Sequence, residues 1–149
     1  EPASTPTPTP TLTAPAPEPA PSATPFTDVD AEHLASLRRS IAGHEREPAE
    51  LVFENIQVHR GKPAGAILSI MDIGYRKSLG VHCSHCHDTK DWGSDEKVEK
   101  KVTREMTGMV REINAKLATI EGLDSEKPVV NCTTCHRGQT KPALDLDGP

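Results

Sequence analysis

Cys83-Ser84-His85-Cys86-His87 decides how the rest of this chain is read, because the same frame returns as Cys132-Thr133-Thr134-Cys135-His136. In a Cys-x-x-Cys-His frame, the two thiols can reach the two vinyl-derived carbons of one porphyrin, and the adjacent histidine then falls beneath the iron. The frame therefore supplies two covalent anchors and one axial ligand for a c-type haem. The two copies consume all four cysteines of the chain. A shared zinc site is the first competitor. Cys86 and Cys132 stand much further apart than the spacing of about 15–20 residues in paired zinc knuckles, and zinc would leave both trailing histidines without a role. A thioredoxin-like dithiol is the second, and it needs a strand-to-helix setting that neither copy has. The expectation is two covalently bound haem c groups, one on Cys83, Cys86 and His87 and one on Cys132, Cys135 and His136.

Composition supports that reading. With 149 residues there is room for one domain and an appendage, yet only 34% of residues are hydrophobic and 3% aromatic. That is thin for a self-sufficient core, so the porphyrins, large rigid apolar bodies, are expected to be part of the fold. The formal net charge of -5, before any haem propionates, argues against nucleic acid and for basic redox protein partners. No run approaches the roughly 18 apolar residues of a membrane span. Because c-type haem attachment normally takes place outside the cytoplasm, Glu1 is expected at or near a processed N-terminus. The protein is then periplasmic or otherwise exported.

Residues 1–25 hold most of the 14 prolines, with Thr5-Pro6-Thr7-Pro8-Thr9-Pro10 as their regular part. Such a segment favours polyproline II and is expected to be an extended linker, with an assembly arm or a glycosylated stalk as alternatives. As a linker it would also be the route of any membrane tether. Residues 26–149 form the expected haem domain. Asp28 or Asp30 can cap a helix through Leu34, Leu37 and Ile41 to about His44, with Pro48 marking its end. Val52–Val58 reads as extended. Pro63, as first residue, opens a helix that runs to Gly80 with Ala64, Leu68, Met71, Tyr75 and Leu79 along one face. Ser94, followed by Asp95 and Glu96, reads as the start of a helix reaching about Ile120. Val98, Val102, Met106, Met109, Ile113, Leu117 and Ile120 form its buried stripe, while Lys97, Lys100, Arg104, Arg111 and Lys116 read as solvated. The fold class is mainly α, a small dihaem unit built from two helix-turn-Cys-x-x-Cys-His repeats.

Several runs resemble the photosynthetic reaction-centre cytochrome c subunit family. They are Phe53-x-Asn55-Ile56-Gln57-Val58, Pro63-Ala64-Gly65, Met71, and Leu79-Gly80-Val81 leading into Cys83-x-x-Cys86-His87. Ser94-Asp95-Glu96-Lys97, Met109-Val110-Arg111-Glu112-Ile113-Asn114 and Cys132-x-x-Cys135-His136-Arg137-Gly138 complete the likeness. In that family most haems take a helix methionine as sixth ligand, which implies Met71 opposite His87 and Met109 opposite His136. Met106, one turn earlier, is the competitor for Met109. Four-haem members carry a histidine beyond the second methionine that serves the other half of the molecule. Residues 115–131 contain none. The resemblance thus implies an independent two-haem relative, equivalent to one half.

Other residues carry weaker expectations. His33, His44 and His59 are candidates for a bis-histidine site, although a lone histidine is more often hydrogen-bonded or at the surface. His82 and His85 stand too close to the attachment cysteines to reach the far haem face. Gly74 and Gly108, beside the methionines, can admit a porphyrin or be ordinary helix glycines. The functional expectation is a non-enzymatic carrier that passes single electrons between protein partners. The alternatives are a peroxidase-like haem enzyme with one open iron, separable by carbon monoxide or cyanide binding, and a structural electron conduit in a filament or membrane complex.

Overall fold

Thr27 caps the first helix, α1 (Asp28–Ser40), a role the sequence suggested for Asp28 or Asp30. The computed structural model describes residues 27–142 and 144, so the expectations placed on residues 1–25 lie outside the described residues. Asp30, at the third position of the helix, completes a capping box with Thr27 and is itself buried. The helix stops at Ser40, with Ile41 as its C-cap.

Pro48 and Pro63 then meet in an isolated antiparallel bridge, with Ala49 N–H donating to Lys62 O at 2.8 Å and Ala64 N–H to Glu47 O at 2.9 Å. This pairing brings two short helices together, α2 (Ala49–Val52) and α3 (Ala64–Ser69). The expected extended run Val52–Val58 is instead the end of α2 followed by turns and bends, and no strand occurs among the described residues. β-branched residues there had no partner strand to pair with. Pro63 is the N-cap of α3 and not its first residue.

The helix that α3 begins does not stay α-helical. Residues Ile70–Lys77 form a π-helical segment, in which each N–H reaches five residues back. Gly80, with φ of 64°, ends the element where the sequence placed its stop. The apolar core lies beside this element: Ile41, Ala64 and Leu68 are buried, with Leu34, Leu37, Val52 and Phe53 packed around them. It is a small core, as the composition implied.

The first motif forms the short helix α4 (Cys83–Cys86). The long helix α5 spans Val98–Leu117, starting from Lys97 and ending before Ile120. Ser94 does not cap it. Its hydroxyl accepts from Glu96 N–H within a tight turn, and its carbonyl receives the Lys100 ammonium. The second motif forms α6 (Cys132–His136). The two units interlock: α4 packs against α5, while α6 packs against the π segment. Ser78 Oγ lies 2.6 Å from Thr133 Oγ1, and Gly138 N–H donates to Ser78 O at 2.9 Å. Each motif therefore rests on the helix of the other unit.

Candidate haem-binding sites

Asp30 fixes the entrance to the first motif. Its carboxylate accepts from Cys83 N–H at 3.0 Å and contacts His82 Nδ1 at 2.6 Å. Burial alone would raise the pKa of this carboxyl. The hydrogen bonds from His82, Cys83 and Thr27 outweigh that and hold it well below the usual carboxylate range. A fixed anion thus ties α1 to the start of α4. On the far side, the Lys97 ammonium donates to Ser84 O, joining α4 to the foot of α5.

Beyond His87, Lys100 organises the connecting loop. It is buried, donates to the carbonyls of Trp92 and Gly93 at 3.0 Å and Ser94 at 2.6 Å, and pairs with Asp95 at 3.3 Å. Arg104 binds Asp95 at 2.9 Å and also donates to Asn55 O. Neither cation is on a solvated face, as the charge pattern had suggested. The buried turn of carbonyls needs a donor, and lysine supplies three. The loop so held places the Trp92 ring 5.4 Å from His87 and 5.6 Å from His33. Burial first, then the Lys100 charge, pushes the His87 imidazole below its ordinary pKa, the neutral form that metal ligation requires.

The second motif is held by Asn114. Its amide donates to Val130 O at 2.9 Å and its carbonyl accepts from Val130 N–H at 2.7 Å, clamping the segment before Cys132 onto α5. Asn131 then caps α6 in a capping box with Thr134. Arg137 and Gly138, with φ of 51° and 87°, turn the chain back so that His136 Nδ1 donates to Gln139 O at 2.9 Å. That bond fixes the tautomer that leaves Nε2 free.

Two apolar hollows result. The first, about 400 Å³, is lined by Cys83, Cys86 and His87, with Met71 of the π segment and Leu34, Leu37 and Phe53 among its other walls. The second, about 320 Å³, is lined by Cys132, Cys135 and His136, with Met106 and Met109 of α5. Both fall in the size range of small-molecule and cofactor sites. The stripe read as buried along α5 is only partly so: Met106, Ile113 and Leu117 are half-buried, whereas Val98 is 61% exposed, Val102 52% and Met109 41%. The last three line the second hollow. Exposed apolar side chains gathered around a hollow mark the place of a large apolar ligand, and the thiol, imidazole and thioether donors lining each hollow fit a haem there.

The other histidines separate. His44 is at the surface against Glu47, and His33 lies against Trp92 without lining either hollow. His82 lines the first hollow and His85 the second. His59 lines the first hollow but is engaged by Tyr75. Gly74 and Gly108 are not among the residues that line either hollow. Tyr75, Leu79 and Thr103 line both hollows, a shared wall that sequence periodicity could not show because it arises from the packing of α5 across the π segment. Asn114 was visible only as part of a family run.

The surroundings of Cys83, Cys86 and Cys132 are not those of a redox dithiol. Burial, and then Asp30, pushes the Cys83 thiol up to about 11, and burial also raises those of Cys86 and Cys132. A reactive dithiol needs a lowered value. Among the described residues, no three His, Cys, Asp or Glu side chains converge on a point that would hold a metal ion.

A family model described as photosynthetic reaction centre cytochrome C subunit matches residues 20–144. Over 83 residues, 55% of this chain, the sequence is 35% identical to cytochrome c-554 of Chloroflexus aurantiacus, 20% of whose length is covered. Over 78 residues, 44% of this chain, it is 32% identical to the photosynthetic reaction center cytochrome c subunit of Rubrivivax gelatinosus, with 21% of that protein covered. The match thus spans about a fifth of each relative's length.

Proposed function

We propose, because this chain belongs to the photosynthetic reaction centre cytochrome c subunit family, that it is a dihaem electron carrier with one haem c in each hollow. Members of the family are c-type cytochromes, and electron transport on covalently bound haem is its established chemistry. The observation that carries the two-haem reading is the pairing, twice over, of a complete Cys-x-x-Cys-His motif with a helix methionine around one apolar hollow.

Haem supplies the one-electron chemistry. The chain's own residues set its terms. Cys83 and Cys86 hold the first group and Cys132 and Cys135 the second. His87 and Met71 would ligate the iron of the first, and His136 and Met109 that of the second. The thioether of methionine favours ferrous iron, which raises the potential relative to bis-histidine ligation. With both axial positions filled by side chains there is no open coordination site for a substrate, so the protein passes electrons and does not transform a small molecule.

The partners are redox proteins. The acidic balance of the chain favours basic docking faces. The family's setting points to a membrane-bound complex on the periplasmic side. No helix among the described residues is long and apolar enough to cross a membrane.

Intact-mass measurement should give the chain plus two haems. The ferric protein should show the thioether-to-iron absorption band for both, and the untreated ferrous protein should not bind carbon monoxide quickly. A mass for one haem, or rapid binding of carbon monoxide by one iron, overturns the corresponding half of the reading.

A further inference from the structure

His59 is buried, 9% exposed, and lines the first hollow, yet its Nδ1 has no hydrogen-bond partner. The other ring nitrogen is fully committed. Nε2 lies 2.6 Å from Tyr75 Oη, which lies 2.8 Å from Thr107 Oγ1, and Thr107 Oγ1 donates to Thr103 O at 2.8 Å.

The direction of this chain follows from its last member. A carbonyl only accepts, so the single hydroxyl proton of Thr107 goes to Thr103 O. Tyr75 must then donate to Thr107, and Tyr75 Oη accepts from His59 Nε2–H. The neutral imidazole therefore carries its proton on Nε2, and Nδ1 is a bare lone pair in an apolar wall. A buried acceptor left without a donor is costly, so Nδ1 is the open position of the ring and the place where a proton would be taken up. In the protonated ring Nε2–H keeps Tyr75 as its acceptor, so only the new Nδ1–H needs a negative charge nearby.

We infer that His59 is the proton-accepting group of the first site, taking one proton at Nδ1 when the iron of that site gains one electron. This rests on the reading that the first hollow holds haem. The balance is one electron from a one-electron redox protein and one proton from solvent, so ferric iron with neutral His59 becomes ferrous iron with protonated His59.

The charges around the ring favour such a switch. Burial, and then the cations Arg111 of α5 and Lys62 of the loop before α3, lower its pKa, so it is neutral while nothing negative is added. Tyr75 of the π segment is held protonated, its pKa raised chiefly by burial. Among the other charged residues that line the hollow, Asp72 pairs with Arg76, Asp30 with His82, and Lys100 and Arg104 with Asp95, while Glu54, Lys90 and Asp91 also face it. An added electron makes the hollow one charge unit more negative, and that difference raises the proton affinity of His59 in the reduced state.

The test is a spectroelectrochemical titration of both haems of the full-length holoprotein across the acidic to neutral range, in wild type, His59→Leu and Tyr75→Phe. The potential of the first haem should fall with rising pH over a bounded window. A tenfold tighter proton affinity in the ferrous state corresponds to a total fall of about 59 mV. His59→Leu should flatten the curve of that haem alone. Tyr75→Phe, which removes the acceptor for Nε2–H and disfavours the protonated ring, should move the window to lower pH. A pH-independent wild-type potential, or a window that persists unchanged in His59→Leu, overturns the inference. Should His59→Leu fail to fold, Tyr75→Phe decides alone, and an unmoved window refutes the assignment. Free thiols at Cys83 and Cys86 in the mature protein would instead refute the haem reading beneath it.

Discussion

Asp30→Ala in the holoprotein removes one carboxylate from a site where it serves three elements at once. Asp30 caps α1 with Thr27, accepts from the backbone N–H of Cys83 and contacts His82. Loss of the capping box is worth about 1 kcal/mol. Each partner left unpaired costs about 1–3 kcal/mol, with the lower part of that range appropriate here because Cys83 and His82 are only partly buried. The sum is on the order of 3 kcal/mol, which for a domain of this size lowers the melting temperature by roughly 6–12 °C. Asp30→Asn keeps one acceptor and should lose about half as much.

The pH dependence fixes the cause. The folded pKa of Asp30 lies below its ordinary value, so its contribution is fully present above the unfolded carboxylate pKa, about 3.9, and is lost as pH falls through the lower folded value. Melting curves of wild type and Asp30→Asn should therefore converge as pH falls below about 3.9. The first haem's absorption should be disturbed in Asp30→Ala and the second's should not. Equal stability of wild type and Asp30→Ala at pH 7, or a gap that persists undiminished in strong acid, would refute the reasoning.

On the proposed ligation, Met71→Leu should abolish the thioether band of the first haem only, and Met109→Leu that of the second. A band that survives Met109→Leu and disappears in Met106→Leu moves the second ligand back one helical turn. Asn114→Ala should cost about 2 kcal/mol through the two lost bonds to Val130 and disturb the second haem's spectrum while sparing the first. Combined replacement of Cys83 and Cys86 by Ser should reduce the intact mass by one haem and lower stability markedly, since a body that fills the first hollow is lost. Removal of residues 1–25 should leave both haem spectra unchanged and slow electron delivery to the native partner. Dissolution of a defined oligomer would make that segment an assembly arm.

What the sequence made legible was the part governed by local chemistry. The two motifs, the helix stop at Gly80 and the apolar stripes of the long helices all follow from spacing and propensity. What escaped it depends on contacts distant in the chain. Lys100 sits among charged neighbours on α5 and reads as solvated until the turn of Trp92, Gly93 and Ser94 brings three carbonyls to its ammonium. Asp30 reads as a cap, which it partly is, but its contacts to His82 and Cys83 reach across more than fifty residues. The π segment has no sequence mark, because Met71, Tyr75 and Leu79 recur at the same interval in an ordinary helix. The apolar stripe of α5 was legible as a face to be covered, but the sequence could not say that Val98, Val102 and Met109 would stay exposed along it.

The interlocked arrangement bears on how electrons pass. Since α4 rests on α5 and α6 on the π segment, neither unit closes its own hollow without the other, and the chain cannot be divided into two one-haem modules. Tyr75, Leu79 and Thr103 face both hollows, so at these positions the partition is a single side chain thick. Groups held in the two hollows are then close neighbours. Leu79 is an apolar filler, whereas the hydroxyls of Tyr75 and Thr103 are both tied down, the first to His59 and Thr107 and the second to Glu99 O. A wall whose polar atoms are already satisfied has little cause to rearrange when charge crosses it, and preorganised dipoles of this kind keep reorganisation small. The same wall carries Tyr75 Oη, the atom that receives Nε2–H of His59. The proposed proton-accepting group of the first site is therefore bonded to a side chain of the partition itself, and one tyrosine ring stands between it and the second hollow.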